Sequence, residues 1–282
     1  MRPLAVATMA GNIGIVVTGG AVRLTGSGLG CPSWPRCTEE SFVPHGALGI
    51  NGAIEFGNRM MTFVLAAIAI ATWVAAVNLS RRRPDLVRLA TVLALGIPGQ
   101  ALLGGVTVLT DLNPWVVGLH LMLSMVLIAW SVMLLHLLRP AGAPPLVRDS
   151  AVQRVAPALA GVAFVVLYLG TVVTGSGPHA GDVDAPRNGL DPQLWSHVHA
   201  AGVYLLVGLT VLTVVLLRRS GPAAAVRPAY ALLAVEAGQG VVGFTQYYLD
   251  LPALLVGLHL LGAALLTATV THLLLTVRAR SG

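Results

Sequence analysis

The chain has 282 residues, 56% of them hydrophobic and only 10% charged, with a mean hydropathy of +0.81. That is too little polar surface to cover a water-soluble globule, so the composition places the chain in a bilayer. The formal net charge of +6 does not imply a nucleic-acid partner, because all 17 basic residues are arginine and their placement follows membrane topology.

A spanning helix takes roughly 20 mostly apolar residues. Eight such stretches follow in chain order, near 4–22, 52–79, 88–110, 115–138, 155–175, 194–217, 229–248 and 253–277. The first has the look of a signal peptide, but it lacks a cleavage site and carries a motif that recurs later, so it reads as a helix of the mature bundle. Arg2, Arg81, Arg82, Arg83, Arg88, Arg139, Arg148, Arg154, Arg218, Arg219, Arg227, Arg278 and Arg280 gather at one set of helix ends, and only Arg23, Arg36, Arg59 and Arg187 lie at the other. The positive-inside rule then predicts a multi-pass protein of the cell membrane with both termini cytoplasmic and the loops 23–51 and 176–193 outside.

The first outer loop holds the only cysteines, Cys31 and Cys37. An outside location permits a disulfide. The spacing is not that of a CxxC redox centre, and two thiols alone do not make a zinc site. A loop staple and an electron-exchanging thiol pair are both open readings.

The second stretch begins IEFGNRM, which puts Glu55, Asn58 and Arg59 at the outer face; Glu55 and Asn58, three apart, share a side of the helix. The fourth stretch carries His120. The sixth begins LWSHVHAAG, with Ser196, His197 and His199 at the level of Glu55 and Asn58, and the eighth carries His259.

The chain repeats itself. GQALLGGVTVLTDLNPWVVGLH, ending at His120, matches GQGVVGFTQYYLDLPALLVGLH, ending at His259, with an offset of 139; VVTGG at 16–20 matches VVTGS at 172–176 with an offset of 156. The fold class expected is therefore all-α, eight transmembrane helices as two tandem four-helix bundles, 1–140 and 150–282. Four spans is an even number, so the halves share one orientation, related by a pseudo-two-fold axis along the membrane normal.

Intramembrane ionisable residues are functional candidates by default. His120 and His259 each follow the same Val-Gly-Leu, about one turn inside the outer end of a span. His136 and His272 share no offset and read as interfacial histidines, and His45 is a loop residue. His197 and His199 are turned about 200° apart on their helix and cannot serve one site. An offset of 139 favours His197, but aligning the polar-to-apolar boundaries favours His199, with Ser196 matching Glu55 and Gly202 leaving room for a flat ligand. Two histidines on facing helices in an apolar bundle suit a planar cofactor whose iron takes two axial nitrogens, which points to a bis-histidine heme on His199 and His259. Zinc would require further ligands.

The runs GGAVRLTGSGLGCPSWPRC at 19–37, IEFGNR at 54–59, HLMLS at 120–124, VVTGSGPHAGD at 172–182 and VGLHLLGA at 256–263 together resemble the heme A synthase family over essentially the whole chain. That resemblance implies an eight-span enzyme of two four-helix halves that oxidises the C8 methyl group of heme O to a formyl group, giving heme A for cytochrome oxidase. It implies heme b in the C-terminal half on His199 and His259, and substrate heme O in the N-terminal half at His120, both toward the outer face. Glu55 takes the place of the family's essential glutamate. Asn58 stands where many members have histidine, leaving His120 to hold the substrate iron alone. Arg23 and Arg59 are candidates for propionate contacts, Arg23 equally for an interfacial anchor, and the motif containing His179 carries no assigned role. The partners implied are heme O synthase, cytochrome oxidase assembly factors and an electron-transfer partner. A diheme electron carrier and a heme carrier are the alternatives.

Overall fold

The computed structural model describes residues 1–79, 83–139, 147, 149–220 and 223–278. Arg81, Arg82, Arg148 and Arg280 of the arginine pattern lie outside them. The order is α1 (Arg2–Leu24), a 3₁₀ turn (Gly46–Leu48), α2 (Gly49–Val77), α3 (Pro84–Leu109), α4 (Pro114–Leu137), α5 (Ser150–Ser176), α6 (Pro192–Ser220), α7 (Ala223–Tyr248) and α8 (Ala253–Val277). No strand occurs among the described residues.

The helix starts follow from their sequences. Proline opens α3 and α4, where its missing N–H costs nothing. Asn113 caps α4 by accepting from the Trp115 amide at 3.0 Å, and Asp149 caps α5 by accepting from the Ala151 amide at 2.8 Å.

Among the described residues, seven helices are long and apolar enough to cross a membrane. Of the eight, α7 falls short on apolarity, not on length: its 26 residues include Arg227, Glu236, Gln239 and Gln246. Large apolar side chains such as Phe63, Leu95, Leu102 and Leu205 face outward, as they would toward lipid.

Packing closes two rings. In the first, α1 meets α2 and α4, and α3 meets α2 and α4; in the second, α5 meets α6 and α8, and α7 meets α6 and α8. Between the rings α8 lies against α1 and α4, and α4 against α5. Val16, Met125, Ile128 and Ala264 form the buried core of that seam. Within the first ring, Asn12 donates to Ser131 across α1 and α4 at 3.1 Å, and the Thr8 and Thr72 hydroxyls meet at 2.9 Å across α1 and α2. Such short polar ties hold helices together where lipid offers no hydrophobic drive.

The turns that close α3–α4 and α7–α8 share one conformation. Asp111 and Leu112 have φ of 50° and 59°, and Asp250 and Leu251 have φ of 57° and 59°. The Leu112 amide donates to Thr107 and the Leu251 amide to Gln246, each at 2.8 Å. Two consecutive left-handed non-glycine residues are uncommon, and here two such pairs occur 139 residues apart.

Candidate functional site

The N-terminal parts of α6 and α8, diagonal members of the second ring, bring His199 and His259 together, with ring centroids 6.5 Å apart and planes inclined at 74°. A metal–imidazole bond of about 2 Å on each side of one ion would put two trans ring centroids roughly 6 Å apart, so the separation fits a shared axial atom. The Val166 carbonyl can only accept, so the His199 Nδ1–H donates to it at 3.1 Å. This fixes the tautomer and leaves Nε2 as the free donor nitrogen. His259 is fixed through its backbone, whose carbonyl accepts from Gln239 Nε2 at 3.1 Å; its own Nδ1 is buried with no hydrogen-bond partner among the described residues. His197 points elsewhere, 6.4 Å from the Tyr247 ring.

His120 on α4 repeats the His259 arrangement. Its carbonyl accepts from Gln100 Nε2 at 3.2 Å, and its Nδ1 is likewise buried without a partner. Each of these histidine rings rests on a glycine of the neighbouring helix: a Cβ on Gly104 would lie 3.3 Å from His120 Cε1, one on Gly243 3.4 Å from His259 Cε1, and one on Gly170 3.4 Å from His199 Cε1. The fourth corner differs. Gly14, which the offset of 156 pairs with Gly170, has nothing within 4 Å of the Cβ position, and Asn58 instead accepts from the Thr18 hydroxyl at 2.7 Å. Three corners hold an imidazole against a glycine, and the fourth is vacant of side chain.

Glu55 is buried near the N-terminal end of α2 and is not a free carboxylate. Its Oε2 accepts from the Cys31 amide, and its Oε1 accepts from Arg59, through Nε at 3.0 Å and through Nη2. Arg59 also donates to the carbonyls of Cys31, Ser33 and Arg36 at 2.9 to 3.1 Å. Cys31 and Cys37 form a disulfide, and the small loop it closes is clamped onto α2 through Glu55 and Arg59. The same loop presses Trp34 against α3, where a Cβ on Gly105 would come within 2.4 Å of the indole. Gly105 is next to the glycine under His120, so the loop walls the first-ring site from outside. Sequence reasoning missed this wall; its signal is the Gly104–Gly105 pair.

The guanidinium of Arg23 is spent on main-chain carbonyls, those of His179 and, at 2.7 Å, Thr174. His179 in turn donates from Nε2 to Leu251 at 2.8 Å. These contacts tie α1 to the α5–α6 loop and that loop to the α7–α8 turn. Two clefts, about 350 and 560 Å³, open at the seam of α4 and α5 beside Gly118 and Thr171, away from the histidines. No group of three or more His, Cys, Asp or Glu capable of holding a metal ion occurs among the described residues. The donor set is thus one pair of imidazoles and one single imidazole, which suits a planar cofactor bringing its own equatorial ligands.

Fold and site together define a polytopic helical membrane protein with part-buried histidines gathered at one end of its bundle. The model of the COX15-CtaA family, described as a cytochrome oxidase assembly protein, matches residues 2–52 and 49–181. This chain belongs to that family, the heme A synthase family. It is 30% identical over 145 residues to the heme A synthase of Geobacillus kaustophilus (strain HTA426), covering 51% of this chain and 45% of that protein. It is 34% identical over 143 residues to the heme A synthase of Bacillus pumilus (strain SAFR-032), covering 49% and 44%. Against the heme A synthase of Listeria welshimeri it is 35% identical over 130 residues, covering 44% and 41%. The matched part of the chain spans less than half the length of each relative. His199 and His259 lie beyond the residues that the family model matches.

Proposed function

We propose that this protein is a heme A synthase, with heme O as substrate at His120 in the first ring and heme b as resident cofactor between His199 and His259 in the second. The observation that carries the reading is the inequality of the histidine corners. A permanent heme calls for two fixed imidazoles, whereas a heme that must enter, react and leave is better served by one imidazole and an open corner at Asn58 and Gly14. The rings, 1–140 and 150–282, are the two copies of a duplicated bundle. With α7 as the eighth span, about 39 Å long at the helical rise, the arginine pattern puts both termini in the cytoplasm and the heme sites toward the outer face of the cell membrane.

The reaction converts a methyl to an aldehyde by two successive hydroxylations at one carbon, followed by loss of water from the geminal diol. Each hydroxylation takes dioxygen as oxidant, one oxygen atom entering the C–H bond and the other leaving as water with two electrons and two protons from an external donor. His120 binds and orients the substrate. The loop carrying Trp34 excludes water from the outer side, and Glu55 holds or relays the proton and stabilises positive charge developing at the substrate carbon, where an apolar surrounding makes such charge costly. The heme b would supply one-electron transfer between this site and an external partner. Arg59 positions Glu55 and the loop together.

The hydrogen bonds of Glu55 favour one further reading, in which it only anchors the loop. Because the amide keeps only one of the two accepting oxygens and loses the charge, Glu55→Gln separates the two when its unfolding temperature is unchanged, which shows the loop still anchored. In cells supplying heme O, Glu55→Gln is expected to keep the heme b spectrum and to lose heme A formation by about 10²-fold or more, the scale of removing an electrostatic or proton-transfer group. Wild-type heme A levels in that variant would leave only the anchor.

A further inference from the structure

Glu236 stands at the middle of α7, buried at 4% exposure. Its Oε1 accepts from the Thr210 hydroxyl of α6 at 2.7 Å, and its Oε2 is buried with no hydrogen-bond partner among the described residues. The helices packed against α7 are α6 and α8. The titratable and charged groups on them are His197, His199, Tyr204, Arg218 and Arg219 on α6 and His259 and His272 on α8, while α7 itself adds Arg227, Tyr230, Tyr247 and Tyr248. None forms an ion pair with Glu236 among the described residues. Its surroundings are the apolar core of the second ring, including Leu206 and Leu232.

The first ring shows that packing does not require this acid. The offset of 139 places Ile97 at the position of Glu236, and the offset of 141 that pairs Asn58 with His199 places Ala69 at Thr210 and Leu65 at Leu206. Leu65, Ala69 and Ile97 form a closed apolar cluster. One copy of the bundle fills this level with hydrocarbon. The other keeps a carboxyl there at a desolvation cost, with one oxygen unanswered. By helical rise Glu236 lies about 10 Å from Gly243, the glycine under His259, close enough for a change of one charge at that histidine pair to alter its proton affinity.

We propose that Glu236 is a proton-exchanging site coupled to the second-ring heme. When an external one-electron donor reduces the ferric iron by one electron, the Glu236 carboxylate binds one proton at Oε2, and reoxidation returns both. This rests on the bis-histidine reading of His199 and His259 and adds to it the means by which charge stays balanced inside the membrane. Thr210 holds Oε1 in either state.

The test is the redox-difference infrared spectrum of the purified holoprotein, together with the heme b midpoint potential as a function of pH. A carboxylic-acid C=O band that appears on reduction, shifts in D2O and vanishes in Glu236→Gln, with a potential that falls as pH rises in the wild type and not in the variant, supports the proposal. Absence of the band in the wild type, or its persistence in Glu236→Gln with heme b bound, overturns it. The double substitution Glu236→Ile with Thr210→Ala, which copies the first ring, is expected to retain the heme b absorption and thermal stability while losing the band; a retained band overturns the proposal. Wild-type protein that binds no low-spin heme b overturns the bis-histidine reading and this inference with it, an outcome distinct from a bound heme without a carboxyl signal.

Discussion

Of the two histidines separated by a single residue on α6, only His199 faces the second ring's interior, and a two-residue step on a helix explains why the other cannot. His199→Ala and His259→Ala are each expected to abolish the low-spin heme b absorption, whereas His197→Ala should leave it unchanged. Loss of the spectrum in the His197 variant, with retention in the His199 variant, would exchange their roles. At the open corner, Asn58→His restores the imidazole that the other three corners have, over the vacant space at Gly14. The expected result is tighter retention of the substrate heme and slower heme A formation, read as hemes co-purifying per chain and as turnover. The sequence made Glu55, His120 and His259 legible because each sits at a polar-to-apolar boundary or in a repeat. It left His197 and His199 competing, because offsets of 139 and 141 both fit, and the decision lies in packing against Gly170, which no linear pattern displays.

At the scale of elements, the loop closed by Cys31 and Cys37 is held from three sides, by its disulfide, by Glu55 with Arg59, and by Trp34 on Gly105. Gly105→Val is expected to lift Trp34 from α3, costing about 1–3 kcal/mol as overpacking does, seen as a lower unfolding temperature in detergent and altered tryptophan fluorescence. Replacing both cysteines by serine removes the closure of a short loop, worth roughly 2 kcal/mol by its length. The turn before α8 offers a cleaner test of backbone, since Asp250 is exposed with φ of 57°. Asp250→Val is expected to destabilise by about 1–2 kcal/mol, because a β-branched residue tolerates that region poorly, and Asp250→Gly to be neutral or stabilising. Spans were legible to within a few residues: α6 runs 192–220 against an expected 194–217, and α3 begins at Pro84, not 88, because proline fits the first turn. The loop was not, because its contacts are main-chain hydrogen bonds that side-chain patterns do not encode.

At the scale of the molecule, two rings of four helices share a seam of α1, α4, α5 and α8, and the proposed chemistry depends on the rings being alike in frame and unlike in their polar residues. The first ring has Glu55 near the N-terminal end of α2 and an apolar cluster at mid-helix; the second has a histidine pair in the N-terminal parts of α6 and α8 and Glu236 at the middle of α7. The shared strings were visible in the sequence, and so was Asn58 at the place where the family resemblance implies a histidine. Glu236 passed unremarked there, because an acid within an otherwise helical apolar run shows its burial and its unanswered oxygen only after folding. The most direct test of two unequal heme sites is the heme content of the purified protein, extracted with acid and resolved by chromatography. The account predicts heme b together with heme O, its hydroxylated form or heme A, with heme b lost on substitution of His199 or His259. Two molecules of heme b per chain and no other heme would contradict it and establish an electron carrier instead.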